Sequence, residues 1–246
     1  MKSFFRYAGF AALPLALALR MGAQEPGITR QQADDILKEL RQIRQLLEKQ
    51  GAKPAEEPKD QVTRAKVNLQ GAPMLGSKDA PLTMVEFTDY QCPFCQSFHV
   101  KSFGELKKNY IDTGKVRFYS RDLPLDFHPN AMRAAQAARC ANDQGQFWKI
   151  REVMSSNPDK LDMDSLVADA TGLNMDVGAF RACVQSEKYK DAVQSDVMEA
   201  MRIGANGTPS FVVGKSTSEG VDGELVVGAQ PLPVFEMKLK ELAAGR

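Results

Sequence analysis

Residues 85–95 read Val-Glu-Phe-Thr-Asp-Tyr-Gln-Cys-Pro-Phe-Cys, and they join two local patterns. The first is a strand: Leu82 to Thr88 is a largely apolar run with β-branched and aromatic residues. The second is a helix start. Pro93 fits a first helical turn because its missing N–H would have no intrahelical partner there. Cys92 then falls at the N-cap of a helix expected to run to about Tyr110. At that position the helix dipole and free backbone N–H groups stabilise a thiolate, and dithiols of this spacing have nucleophile pKa values of roughly 3.5–7 against about 8.5 for a free thiol. Cys95, one turn further in, faces the same side within disulfide reach. The chemistry that follows is thiol–disulfide exchange, in which Cys92 attacks a partner's sulfur and Cys95 resolves or completes the exchange.

A C-x-x-C pair also occurs in zinc knuckles, but the second knuckle such a site wants is missing. The two histidines are His99 and His128. His99 could join Cys92 and Cys95 as a third ligand, yet a fourth would still be needed, and the strand–turn–helix context already explains the cysteines. His99 reads instead as a partly buried helix residue, and neither a metal nor a cofactor is expected.

Working outward, the chain has 246 residues of which 43 % are hydrophobic, enough for one large domain or two small ones and too apolar for a disordered chain. Lys and Arg number 32 against 31 acids, so no broad positive field recommends nucleic acid as a partner. At the N-terminus Lys2 and Arg6 precede an apolar run from Ala8 to Leu19, with Ala23 at a distance suited to signal-peptidase cleavage. Residues 1–23 are therefore expected to be a signal peptide, with an uncleaved anchor as the other option. Their removal takes away three cations and no acid, shifting the net charge from +1 to −2. Export implies an oxidising, periplasmic or otherwise extracytoplasmic compartment.

From Thr29 to Gln50 the residues Ala33, Ile36, Leu40, Ile43 and Leu47 recur at alternating steps of three and four, and Leu37 and Leu46 widen the stripe. Thr29 and Gln32 can form a capping box, and Asp34 and Asp35 suit the positive end of the helix dipole. Residues 24–50 thus read as an amphipathic helix for self-association, the other option being a helix packed on its own domain. Gly51, Pro54 and Pro58 mark a linker over 51–61 that cannot continue it, and 62–246 form the main domain.

Three stretches within about Val62–Leu242 carry a resemblance: V-E-F-T-D-Y-Q-C-P-F-C at 85–95, G-T-P-S-F-V-V-G at 207–214 and V-G-A-Q-P at 227–231. In this order they resemble the exported DsbA-type thiol:disulfide oxidoreductases, a thioredoxin-fold family. The resemblance implies an α/β thioredoxin fold with a helical subdomain inserted at about 128–204, here preceded by the N-terminal amphipathic helix. It makes Cys92 the nucleophile, Cys95 the buried partner, Pro209 a cis-proline facing the dithiol, and Glu86 the buried acid beneath the active site. Physical chemistry supports these roles. A cis X-Pro bond at Thr208-Pro209 turns the chain so that neighbouring backbone groups can pair with a substrate strand, and Pro93 and Phe94, beside the nucleophile, are expected to bind substrate with them. A buried Cys95 that must lose a proton is served by a nearby carboxylate of raised pKa, directly or through water. Glu86 is that carboxylate, or else Asp89; Glu86 could alternatively lie on the solvent side of an edge strand.

The region from Pro129 to Gly204 is expected to form three or four helices, with Cys140 in Ala131–Gln144 and Cys183 in Val177–Lys188. Neither has a close cysteine, so in an oxidising compartment they read as a structural disulfide, with two free buried thiols as the other option. Closing that loop would contribute about 4 kcal/mol. A helix over Tyr189–Ile203, a strand after Pro209, a flexible loop over Gly214–Gly223, an edge strand Val221–Val227 and a helix Val234–Leu242 complete the expectation. The implied function is disulfide exchange with cysteine-containing secreted proteins, assisted by a membrane thiol-redox partner. It is oxidase chemistry in a monomer, or isomerase or reductase chemistry in a homo-oligomer built through residues 29–50. A non-catalytic binding module or holdase is the alternative.

Overall fold

The computed structural model describes residues 29–49 and 63–245. The expected signal segment 1–23 and linker 51–61 lie outside them. The chain divides into two units, residues 1–60 and 61–246. In the first, helix α1 spans Arg30–Lys49. Its start is held by the reciprocal capping box: Gln32 N donates to Thr29 Oγ1 at 3.2 Å and Thr29 N to Gln32 Oε1 at 2.9 Å. Asp34 and Asp35 fall beyond the first turn, which weakens their dipole contribution. Ile36, Leu37, Leu40, Ile43 and Leu46 are all exposed.

The second unit is built on a six-stranded sheet of order β1-β6-β5-β3-β4-β2. Its strands are β1 (Arg64–Asn68), β2 (Met74–Leu75), β3 (Leu82–Thr88), β4 (Val116–Asp122), β5 (Ser210–Ser216) and β6 (Gly220–Val227). β3 and β4 are parallel and the other pairs antiparallel. β3 is central and every residue of it is buried, because both faces are covered. Leu82 and Met84 join one core with Phe118, Phe211, Phe235 and Leu239. Val85 and Phe87 join a second core with Val212, Ala200 and Ile203.

Helix α2 (Pro93–Phe98) runs on through a π turn (His99–Phe103), a short segment α3 (Gly104–Leu106) and a second π turn (Lys107–Ile111). The wider turns have a reason in the sequence. Phe98, Phe103, Leu106 and Ile111 are all buried, spaced by five, three and five residues; a step of five returns to the same face only where the helix unwinds locally.

Between β4 and β5 lie α4 (Ala131–Asn142), α5 (Phe147–Ser156), α6 (Met163–Gly172), α7 (Val177–Gln185) and α8 (Lys190–Arg202), and α9 (Leu232–Ala243) closes the chain. The insertion has its own core, where the alanines of α4 admit Phe147, Ile150, Leu166 and Phe180 closely. Cys140 and Cys183 form a disulfide between α4 and α7.

Three sequence expectations change. Val221–Val227 is not an edge, since β6 pairs with β1 on its outer side. Gly214–Gly223 is not a long loop: β5 and β6 pair across it in register, Gly214 facing Gly223, leaving only residues 217–219 as the turn. A Cβ at either glycine would collide with backbone atoms of the opposite strand. The insertion also holds one helix more than the upper expectation.

Candidate active site

Cys92 sits at the N-cap of α2 with extended backbone, and Pro93 occupies the first turn. The Cys92 N–H donates to Asp89 O at 3.1 Å, closing the turn that aims the sulfur at the loop before β5. There Thr208-Pro209 is a cis peptide bond, and Cys92 Sγ lies 3.5 Å from Thr208 O. Thr208 Oγ1 is buried without a hydrogen-bond partner. Pro93 and Phe94 are exposed, whereas Cys92 and Cys95 are buried free thiols.

The two sulfurs differ electrostatically. A hydrogen bond from Cys95 is the main reason the Cys92 thiol falls to about 5, and burial opposes it while Thr208 and the Phe94 and Cys95 backbone N–H groups add to it. Cys95 moves the opposite way: burial raises it most, and the neighbouring Cys92 and Glu86 raise it further. Asp89 N donates to Cys95 Sγ at 3.5 Å. At neutral pH the pair therefore holds one proton, on Cys95, and presents a thiolate at Cys92.

Glu86 lies on the face of β3 shared by Leu82 and Met84, and it is 1 % exposed. Solvent-side placement on an edge strand is thereby overturned. Burial raises its carboxyl, an effect that Arg151 opposes. Arg151 Nη2 donates to Glu86 Oε2, and the guanidinium lies over the rings of Phe103, Trp148 and Phe118 at 4.9, 5.5 and 5.6 Å. Glu86 and Cys95 are electrostatically coupled, which suits a group that gives or takes a proton there. Asp89 does other work: its Oδ1 accepts from Gln91 N at 2.7 Å and its Oδ2 from Leu125 N at 2.9 Å, with His128 Nδ1 also at 2.7 Å.

Arg151 escaped the sequence reading although a signal was present. Phe147, Ile150, Arg151 and Met154 occupy the buried stripe of α5, so an arginine stands where the periodicity asks for an apolar residue. A second buried group joins the insertion to the sheet. Asp196 on α8 accepts from Arg121 of β4 and Arg139 of α4, Asp122 N donates to Asp196 Oδ2 at 3.0 Å, and Arg139 Nε donates to Asp122 Oδ2 at 2.5 Å. Burial pushes the Asp122 carboxyl up to about 6 against the pull of Arg139. His99 stacks on Phe103, and burial lowers its imidazole to about 4. Among the described residues no group of three or more His, Cys, Asp or Glu side chains is placed to hold a metal ion.

Comparison with known proteins places these features in context. A family model described as Thioredoxin matches residues 68–223. The probable disulfide bond formation protein D of Bacillus anthracis is 31 % identical over 148 residues, covering 56 % of this chain and 68 % of that protein. The Na(+)/H(+) antiporter NhaA 3 of Salinispora tropica is 33 % identical over 139 residues, and this match spans 56 % of the chain but only 21 % of the antiporter's length. Among solved structures, α-DsbA1 of Wolbachia pipientis is 25 % identical with a TM-score of 0.66, covering 73 % of this chain and 94 % of that one. BdbD of Bacillus subtilis, at 23 % identity and a TM-score of 0.63 over 73 % of this chain and 97 % of that one, shares the fold.

Proposed function

The chain belongs to the thioredoxin family, in its DsbA-type form, and on that premise we propose that it is an exported thiol:disulfide oxidoreductase acting on cysteine-containing secreted proteins through Cys92 and Cys95. One observation carries the reading: a low-pKa thiolate at a helix N-cap, beside a cis-proline loop, with a buried resolving thiol behind it.

In the oxidising direction the protein starts as the Cys92–Cys95 disulfide. A substrate thiolate attacks Cys92 Sγ, the Cys92–Cys95 bond breaks, and Cys95 leaves as a thiolate that takes up a proton. Glu86 is the proton donor to that buried sulfur, directly or through water, and Arg151 holds its carboxylate form when the proton has gone. A second substrate thiolate then attacks the substrate sulfur of the mixed disulfide and releases Cys92 as its stabilised thiolate. The substrate has lost two electrons and the dithiol has gained them, so a membrane thiol-redox partner must reoxidise it. Thr208 and Pro209 line the loop facing Cys92 and, with Pro93 and Phe94, form the substrate-binding surface.

Residues 1–23 act as the export signal, 24–50 as a self-associating helix, 51–61 as linker and 62–246 as the catalytic domain with its insertion at about 128–204. The exposed apolar stripe of α1 supports self-association, and several dithiols around a shared space would suit isomerase or reductase work. The Cys140–Cys183 disulfide supports the periplasm or another extracytoplasmic compartment. Refolding of a scrambled disulfide substrate tests the enzyme reading: Cys92→Ser abolishes it, whereas full activity in that variant would leave a binding module or holdase. Deleting residues 24–50 is expected to yield monomers by sedimentation; an intact protein already monomeric would remove the isomerase argument.

A further inference from the structure

Two exposed phenylalanines stand apart from the rest. Phe94 is 65 % and Phe127 is 75 % exposed, and every other described phenylalanine is buried. Phe94 belongs to the dithiol motif. Phe127 lies on another segment, the connection between β4 and α4, and neither the motif nor the exchange chemistry uses it.

That connection is not free to move. Leu125 N and His128 Nδ1 both meet Asp89 Oδ2, and Asn130 N donates to Gln91 Oε1 at 2.8 Å. The residues on either side of Phe127 are thus tied to Asp89 and Gln91, and those two belong to the turn that carries Cys92. Asp89 is 1 % exposed, so the tie is shielded from water. The ring of Phe127 also meets the His128 ring edge-on at 4.5 Å, which fixes its direction. An untethered loop would fold such a side chain down onto the protein to remove it from water. Here the tether keeps it out, on a segment distant in sequence but hydrogen-bonded to the nucleophile's own turn. Val227, 53 % exposed, is paired across the sheet with Ser210, next to the cis-proline.

We infer that Phe127 is a specificity-determining residue, contacting an apolar or aromatic side chain of the substrate chain near its reacting cysteine. The inference rests on the thiol-exchange reading above and adds to it one residue that discriminates among substrate segments by the side chain beside their cysteine. A rigid aromatic contributes contact area at little entropic cost, the property that makes such residues dominate interfaces. The side chains of Asp89 and Gln91 are positioning groups for it, since they hold the loop and do not touch the substrate side chain.

The test uses the full-length protein and its Phe127→Ala and Phe127→Leu variants. Rate constants for exchange at Cys92 are measured with glutathione, with a cysteine peptide carrying Phe and Leu beside the cysteine, and with a matched peptide carrying Ser and Glu. Phe127→Ala is expected to slow the apolar peptide about tenfold, leave glutathione unchanged, and erase the preference between the peptides; Phe127→Leu restores most of it. Equal peptide rates in Phe127→Ala and the unsubstituted protein, with normal glutathione exchange, would overturn this inference alone. An equal fall with glutathione would overturn it too, by assigning Phe127 to the dithiol's stability. Absence of exchange with every thiol in the unsubstituted protein would overturn the thiol-exchange reading and the inference with it.

Discussion

Replacing Cys95 by alanine removes the hydrogen bond that contributes most to the Cys92 thiolate, and its consequence can be worked through. In the intact dithiol, Cys92 titrates at about 5 where an ordinary thiol has 9.0. The sign follows from an acid whose pKa is depressed in the dithiol form. Its stabilisation is complete above pH 9, shrinks as the pH falls, and is gone below pH 5. Each pH unit in that interval is worth about 1.4 kcal/mol, so at pH 7 the thiolate favours the dithiol over the disulfide by about 3 kcal/mol. For a two-electron couple about 30 mV corresponds to 1.4 kcal/mol, which makes the pair about 60 mV more oxidising than one with unperturbed thiols. Two measurements check this. Iodoacetamide labelling of Cys92 against pH should show a midpoint near 5, moving upward by about one pH unit or more in Cys95→Ala. The reduction potential in glutathione buffers should fall by about 59 mV per pH unit below pH 5 and about 30 mV above it, because one fewer proton accompanies the two electrons. A labelling midpoint at or above pH 8 in the unsubstituted protein would refute the reasoning.

Glu86→Gln leaves Arg151 buried without its counter-charge and should destabilise the protein by about 3–5 kcal/mol in urea unfolding, while Glu86→Gln with Arg151→Met recovers part of the loss. Cys140→Ser with Cys183→Ser opens a loop of 43 residues and should cost about 4 kcal/mol of stability, while glutathione exchange at Cys92 continues unchanged. Gly214→Ala forces a methyl against the opposite strand and should cost about 1–3 kcal/mol, read as a lower midpoint of thermal unfolding.

What could be read from the sequence was local. Pro93 after Cys92 locates a helix start within two residues, because capping chemistry acts over one turn. The period-2 rule had less to offer at Glu86. A strand covered on both faces loses its alternation, so the burial of Glu86 became evident only once β5 and β4 flanked β3. Its partner Arg151 lies 65 residues further on, a separation that no window spans. β1 left little trace, since only Ala65 and Val67 of its five residues are buried. The segment 214–223 looked like a loop through its Gly and Ser content, yet all three of its glycines, Gly214, Gly220 and Gly223, sit where neighbouring strands approach closely. Phe127 was passed over because an exposed phenylalanine in a connection looks like an ordinary apolar residue until the hydrogen bonds around it are seen.

The Arg151–Glu86 pair bears on how this domain can be taken apart. The cation beneath the dithiol is supplied by α5, so the inserted helices are part of the reaction centre's circuitry and not an appendage on a self-sufficient catalyst. A minimal version trimmed to sheet, α2 and cis-proline loop would keep both cysteines and lose the counter-ion that keeps an ionised Glu86 tolerable inside the protein. Anyone grafting this chemistry onto a smaller scaffold would have to replace that charge, or remove the carboxylate along with it.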